Sequence, residues 1–370
     1  MLGPDHPETM HSRASLAYAL QVAGEHRDSV AEYERLVADA ERVLGLDHPE
    51  VVTRRSGLAF AQLAAGLHEL AIRRYEQVVA DRTRVLGADH PDTLNSRGWL
   101  AAAHSDAGDH LAAIAAFETL VADRTRVQGP DHPQTLYARK RLASLHRKSG
   151  HPALAVTRFG ELVADYTRVL GPDHPHTLNA RSGLARAHRE AGTPGRAVEQ
   201  HRALVRDRAR IQGERHPDTL EERSFLGFAL RIAGLPALEV EELKRLVADR
   251  VRIQGPDHPG TLEERSGLAR ALNAAGRPRE ALAVREQLVA DRLRINGPEH
   301  FETFDARLRL ARSVDEACSS TSRTTPWDCT TRWSPITPGS TGRTTPTPWT
   351  LVPTASRPTR APATTAARSN

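Results

Sequence analysis

The sequence predicts an all-α solenoid built from antiparallel helix pairs, and two observations support this prediction. A marker histidine, followed by proline in every copy but the last, recurs at intervals of 42 residues without insertion or deletion. Between markers, apolar residues recur at helical spacings in two successive segments. Repeats of roughly 20 to 50 residues cannot bury an apolar face alone, so they stack on their neighbours. The eight marker histidines are His6, His48, His90, His132, His174, His216, His258 and His300.

The first segment of each unit predicts a helix, here called helix A, from about +3 to +17, where the marker histidine is position zero. Its apolar stripe falls at +4, +10, +11 and often +14, and in the third unit these are Leu94, Leu100, Ala101 and His104. The Asp-His-Pro start supplies an N-cap candidate and a proline for the first turn. A glycine at +18, such as Gly108, suits the left-handed conformation at a helix end.

The second segment predicts helix B, from about +20 to +37, and a glycine at +39 closes it. Seven helix pairs and one unpaired helix therefore occupy residues 1–318, which we interpret as one elongated domain. In the third unit the apolar positions of helix B are Ile114, Phe117, Leu120, Val121 and Val127.

Residues 319–370 are rich in Thr, Ser and Pro, and this composition predicts a disordered tail. They contain six arginines and one aspartate. Subtracting these from the totals of 51 basic and 46 acidic residues leaves 45 of each in the repeats. The net charge of +5 therefore belongs to the tail, and we expect no nucleic-acid partner.

The tail also suggests a ninth repeat translated in a shifted frame. Codons for the connector Asp-His-Pro-Asp-Thr-Leu, translated one base later, give Thr-Thr-Pro-Thr-Pro-Trp, which occupies residues 344–349. The alternative is a genuine Thr/Pro-rich tail. The nucleotide sequence distinguishes the two hypotheses.

The sequence favours a cytoplasmic protein with no membrane partner. No stretch is apolar over the roughly 18 residues that a membrane helix needs, and the amino terminus lacks a basic segment followed by an apolar run. Lysine occurs only three times, whereas arginine and alanine are abundant. This bias is typical of GC-rich coding sequences and suggests a high-GC bacterium.

Three charged positions are the same in every helix pair: arginine at +7, aspartate at +33 and arginine at +36. Because the two helices are antiparallel, +7 near the start of helix A lies opposite +33 near the end of helix B. We expect a structural network of ion pairs, and the alternative is an arginine ladder that binds carboxylate or phosphate groups. In the central units the expected structural ion-pair ladder comprises Arg97, Asp123, Arg126, Arg139, Asp165, Arg168 and Arg181.

The marker histidines do not predict a metal site. Neighbouring helices pack roughly 8–10 Å apart, so histidines two helices away cannot share an ion at about 2 Å. The repeats also lack a glycine-rich phosphate loop and a nucleophile elbow. We therefore expect no catalytic residue, metal, cofactor or small-molecule substrate.

The 42-residue helical hairpin with the connector LG-x-DHP-x-T-L resembles the tetratricopeptide repeats of the kinesin light chain type, which also occur widely in actinobacterial proteins. The resemblance covers residues 1 to about 317. It implies a right-handed α-solenoid (superhelix) whose A helices line a concave groove that binds peptides or partner proteins. It implies no catalysis.

The groove of kinesin light chain repeats usually carries an Asn-Asn pair at +8 and +9, and no unit of this chain keeps that pair. We therefore expect a groove of small residues, such as Ser182 and Ser266, interrupted by Trp99, Arg141 and Phe225. The predicted function is a non-enzymatic scaffold that binds a protein or peptide. The alternative is a detached sensor arm of a signal-transducing (STAND-type) ATPase, because the chain starts in mid-repeat.

Overall fold

The computed structural model describes Gly3 and residues 5–321 of the chain. Within this part there are fifteen helices and no strands. The A helices are α1 (Pro7–Val22), α3 (Pro49–Ala64), α5 (Pro91–Asp106), α7 (Pro133–Lys148), α9 (Pro175–Glu190), α11 (Pro217–Ile232), α13 (Pro259–Ala274) and α15 (Phe301–Thr321). The B helices are α2 (His26–Leu44), α4 (His68–Leu86), α6 (His110–Gln128), α8 (Pro152–Leu170), α10 (Pro194–Gln212), α12 (Pro236–Gln254) and α14 (Pro278–Asn296).

The predicted fold class is confirmed, because the described chain is an all-α repeat solenoid in which successive helices pack on one another from α1 to α11 and from α13 to α15. Each A helix before α15 starts at +1, two residues earlier than predicted, since its proline occupies the first helical position. The helices belong to two compact units, Met1–Ile253 and Gln254–Asn370. The single elongated domain over 1–318 stays a prediction. The predictions for 322–370, including the shifted frame, lie outside the described residues.

The Asp-His-Pro connector starts each helix A through its histidine. The backbone N–H of Asp92 donates to Nδ1 of His90 at 3.2 Å, and the same bond forms at the other seven markers of the described chain. Histidine therefore takes the N-cap position, which leaves the preceding aspartate free for another partner. The glycines at +18 and +39 have positive φ, such as 84° at Gly108 and 92° at Gly129, as their helix-ending role requires.

The core lies between the A and B helices. Leucine at +4 (Leu94), alanine at +11 (Ala101) and the aromatic residue at +27 (Phe117) are buried, in agreement with the predicted stripes. Two positions differ from the prediction. Val127 at +37 is 39% exposed, and Ala113 at +23, which was not predicted, is fully buried.

Aromatic side chains at +27 limit what the next A helix can carry at +9. The ring of Phe159 on α8 lies directly under Gly183 on α9, and the ring of Tyr33 on α2 lies under Gly57 on α3. A methyl group added at either glycine would overlap the ring. Glycine at these two positions therefore reflects close packing of the helices.

We predict that Gly183→Ala lowers the free energy of unfolding by about 1–3 kcal/mol, because the new methyl group overpacks the core against Phe159. The matched control is Gly160→Ala in α8, where no atom lies within 4 Å of the added methyl group. This control is expected to be neutral or to stabilise by up to about 1 kcal/mol through helix propensity. Urea unfolding followed by circular dichroism measures both, and equal effects of the two substitutions would contradict the packing explanation.

Candidate partner-binding face

The A helices carry a second stripe of side chains at +5, +8, +9 and +12. These positions share one side of each helix because they follow spacings of three and four residues. We call this surface the A-helix face, and we use the name for the A helices from α1 to α11, which lie in the compact unit Met1–Ile253. Several aromatic side chains are exposed on it: Tyr18, Phe60, Trp99 and Tyr137.

One cavity on the A-helix face has a volume of about 400 Å³. Its walls come from α7, α9 and α11, and it contains three of the residues predicted to bind a partner: Arg141, Ser182 and Phe225. Arg141 and Phe225 are half-buried, whereas Ser182 is almost completely buried. Arg141 and Phe225 therefore present more surface to a partner than Ser182 does.

A second cavity, of about 370 Å³, is lined by α5, α6 and α7 and includes the predicted residue Trp99. Tyr137 and Arg141 line both cavities, so the two adjoin. Trp99 makes an edge-to-face contact with Phe60, with ring centroids 5.7 Å apart. The fifth predicted residue, Ser266, is half-buried on α13, which belongs to the other compact unit. It is not among the residues that line either cavity.

Several cationic residues of the larger cavity were not predicted as site residues, among them the half-buried Lys140 on α7 and Arg186 on α9. The Arg186 guanidinium lies 5.0 Å from the centroid of the Phe225 ring, and its buried Nε has no hydrogen-bond partner among the described residues. Burial lowers the pKa of Arg186. Burial, and then the positive charges of Arg141 and Arg186, lower the pKa of Lys140.

The floor of this cavity is a buried polar network. Arg208 donates to Asp218 at 2.8 Å and to Asn179 at 2.7 Å, and its Nε lies 3.6 Å from Glu222. Nδ1 of the buried His201 lies 2.5 Å from the other oxygen of Glu222. Arg208 therefore already has two carboxylate neighbours within the protein.

The arginines of the predicted ladder likewise have carboxylate partners. In all seven described helix pairs the +7 arginine contacts the +33 aspartate of its own unit, at 2.6 to 2.8 Å. In the third unit these are Arg97 and Asp123, and Arg126 approaches the same carboxylate at 3.2 Å. The next unit repeats the arrangement, because Asp165 lies 2.7 Å from Arg139 and 3.1 Å from Arg168. The last predicted member, Arg181, contacts Asp207.

The aspartate before the marker histidine completes this network and was not predicted to do so. Asp89 accepts two hydrogen bonds from Arg126, at 2.6 and 2.9 Å, across a separation of 37 residues. We call the four residues at −1, +7, +33 and +36 the brace of a unit. The sixth unit is an exception, because Arg215 occupies −1 and Arg252 contacts Asp249 at 2.7 Å.

Comparison with family models decides the relationship of the chain to known proteins. A model described as tetratricopeptide repeat matches residues 8–84, 55–122 and 96–167, and another with the same description matches 177–218 and 265–302. The chain belongs to the tetratricopeptide repeat family. Proteins of this family generally mediate protein–protein interaction, and the tetratricopeptide repeat scaffold is typically non-enzymatic.

Solved tetratricopeptide repeat structures show how far the similarity extends. A putative kinesin light chain from Podosopora anserina with nearly identical repeats is 29% identical over 56% of this chain and 98% of that chain, with a TM-score of 0.51. BtubC (BKLC) from P. vanneervenii is 18% identical over 63% of this chain and 94% of its own, with a TM-score of 0.53. No curated protein matches the chain in sequence.

A structure of a signal transduction ATPase (STAND) with a tetratricopeptide repeat sensor, from Pyrococcus horikoshii, is also similar in fold. It is 12% identical over 84% of this chain and 48% of that chain, with a TM-score of 0.50. None of the described helices combines the length and apolarity needed to cross a membrane. Among residues 5–321, no group of three His, Cys, Asp or Glu side chains is arranged to hold a metal ion.

We predict that Arg215→Asp raises the melting temperature by a few degrees at most. The new carboxylate would stand where Asp89 stands in the third unit, and would replace a cation near Arg252 with an anion. Arg206→Asp on α10 is the charge-matched control, because Arg206 is exposed and outside every brace. Differential scanning calorimetry at low and high salt measures the effect. Equal shifts in both variants would mean that the overall charge, not the brace, is responsible.

We also predict that the braces make stability sensitive to acid. Hydrogen bonds from Arg97 hold the pKa of Asp123 below its ordinary value of 3.8, and those from Arg126 do the same for Asp89. The unfolded carboxylates therefore bind protons at a higher pH than the folded ones do. The stabilisation is complete above about pH 5 and is lost as the pH falls through the folded-state pKa values.

Thermal melts from pH 7 to pH 3 test this prediction. The melting temperature of the wild-type chain should fall below about pH 4–5, and Asp123→Asn should lower it at pH 7 but weaken its dependence on acid. Asp106, which is exposed and outside the brace, supplies the control Asp106→Asn. If the melting temperature of Asp123→Asn falls in acid as steeply as that of the wild-type chain, Asp123 does not cause the acid sensitivity.

Proposed function

We propose that the chain is a non-enzymatic scaffold that binds a segment of a partner protein along the A-helix face, and that this face is the concave side of the solenoid. The supporting observation is the pair of adjoining cavities on this face, which share Tyr137 and Arg141. Extended partner segments bind such surfaces by inserting individual side chains into successive cavities. The exposed aromatic rings beside these cavities are of the type that contributes most binding energy at protein interfaces.

The chemistry of the face changes along the chain. The smaller cavity is bordered by Trp99, Phe117 and Leu120, and the exposed Phe60 continues this apolar part. The larger cavity is bordered mainly by cationic and polar side chains. A partner segment would therefore need an apolar side chain for one cavity and a polar or anionic group for the other.

The test is affinity capture from a lysate of the source organism, followed by calorimetry with each purified partner. We expect Trp99→Ala/Tyr137→Ala to weaken partner binding at least tenfold, because both rings border the smaller cavity. Leu111→Ala is the matched control, since Leu111 is 79% exposed on α6 and lines neither cavity. Partners that bind the double variant as tightly as the wild-type chain would exclude this face as the binding surface.

A second candidate function is the sensor arm of a signal-transducing ATPase. The support is the similarity in fold to the tetratricopeptide repeat sensor of the STAND protein from Pyrococcus horikoshii. Under this proposal the same A-helix face would bind the signal that the ATPase detects. Genomic sequence upstream of Met1 tests it: an in-frame NTPase domain with a phosphate-binding loop would support the sensor arm, and a stop codon without such a domain would exclude it.

A further inference from the structure

The larger cavity of the A-helix face contains three half-buried cationic side chains that have no anionic partner at ion-pair distance among the described residues. Lys140, Arg141 and Arg186 line it, and none of them has a carboxylate within 4.0 Å among the described residues. Each lies instead near an aromatic ring. The distances to the ring centroids are 5.1 Å for Lys140 and Tyr137, 5.9 Å for Arg141 and Phe117, and 5.0 Å for Arg186 and Phe225.

This arrangement is costly for the free protein. The pKa of Lys140 falls because of burial and, to a smaller extent, because the charges of Arg141 and Arg186 repel its ammonium group. The Arg186 Nε–H is buried without an acceptor, and such a donor loses its bond to water without replacement. The cation–π contacts compensate for this cost only in part.

The carboxylates that line the same cavity offset this charge only in part: burial and the charge of Arg147 lower the pKa of Arg186, and Glu222 and Glu221 raise it by less. Asp218 and Glu222 are neighbours of Arg208 in the cavity floor, at 2.8 and 3.6 Å. Glu221 lines the wall on α11 but makes no ion pair within 4.0 Å. Arg147 on the opposite wall contacts Glu190 at 2.7 Å. The unpaired charge of the cavity is therefore predominantly positive.

The repeat itself does not require these cations. The positions of Lys140 and Arg141, +8 and +9, hold Gly98 and Trp99 in the preceding unit. Arg186 occupies +12, where the second unit has Phe60. The helices of those units form with the same boundaries as α7 and α9. The cluster is therefore a local feature of the surface and not part of the packing that all units share.

We propose that this cavity binds a phosphoryl group, carried by a phosphorylated side chain of the partner segment. A phosphoryl group places nearly two negative charges on three acceptor oxygens, which matches three converging cations better than a single carboxylate does. The planar guanidinium groups of Arg141 and Arg186 can each donate two parallel hydrogen bonds to such a group. This proposal rests on the proposed function, because it assigns the ligand chemistry of the same face.

Calorimetry on the full chain at constant ionic strength tests the proposal. The probes are N-acetyl-phosphoserine amide, inorganic phosphate, N-acetyl-Glu-Glu amide and the neutral N-acetyl-serine amide. The phosphoserine probe should bind at one site and more tightly than the Glu-Glu probe, and the neutral serine probe should not bind. Tighter binding of inorganic phosphate than of phosphoserine would identify a free anion as the ligand and overturn the assignment to a partner side chain.

The decisive variant is Lys140→Gln/Arg186→Gln, which should weaken phosphoserine binding at least tenfold. Arg202→Gln/Arg206→Gln on α10 removes the same charge from exposed positions outside the cavity and should bind like the wild-type chain. Melting temperatures separate binding from stability. Because the cavity variant removes repulsion, its melting temperature should be unchanged or higher, and a fall of several degrees would indicate a structural role instead.

Two outcomes overturn the phosphoryl site: tighter binding of the Glu-Glu probe, or equal loss of phosphoserine binding in both double variants. Neither outcome affects the scaffold proposal. That proposal depends on partner capture and on its loss when the smaller cavity is altered, and Trp99→Ala alone does this without touching the larger cavity, its cations or their rings. The two proposals can therefore fail independently.

Discussion

A helix pair of this chain buries its apolar side chains only when the next pair stacks against it, and this constraint shapes the rest of the structure. The aromatic ring at +27 illustrates it, because Phe159 is buried under Gly183 of the following A helix. The stacking uses the +4, +11 and +27 positions of the first six units, where these residues are buried or nearly so. The +5, +8, +9 and +12 positions of the A helices remain available for cavities whose lining differs from unit to unit.

The braces and the cavity cations use the same chemical groups in opposite ways. Arg97 and Arg126 share Asp123, and Arg126 also pairs with Asp89, so the two positive charges face two carboxylates inside the unit. Lys140 and Arg186 lie half-buried without a carboxylate at ion-pair distance. Balanced pairs add little affinity for an external anion, whereas unpaired and partly desolvated cations gain most from one. This contrast separates structural arginines from candidate binding residues.

Much of the fold could be predicted from the sequence, because helical periodicity and a fixed repeat are local signals. The helix boundaries, the glycine ends and the +7 to +33 pairing all follow from the spacing of residues in one unit. The contact of Asp89 with Arg126 spans 37 residues and joins a connector to a helix end, so periodicity alone does not indicate it.

The positions of Trp99, Arg141 and Phe225 on the A-helix face could likewise be predicted from the sequence. The cavity that joins Arg186 to Lys140, in contrast, depends on how α7 packs on α9. The sequence signal that could have pointed to Arg186 as a site residue is its cationic side chain at +12, a position that holds Phe60 in the second unit.

Each brace closes within 42 residues of its own unit, whereas the three half-buried cations of the larger cavity come from two successive units. Gain or loss of a whole unit by recombination between repeats would therefore leave every remaining brace complete. Gain of a unit between those of α7 and α9 would separate Lys140 from Arg186 and abolish the cavity. The length of such an array can change at little cost to folding, while its ligand specificity depends on which units are neighbours.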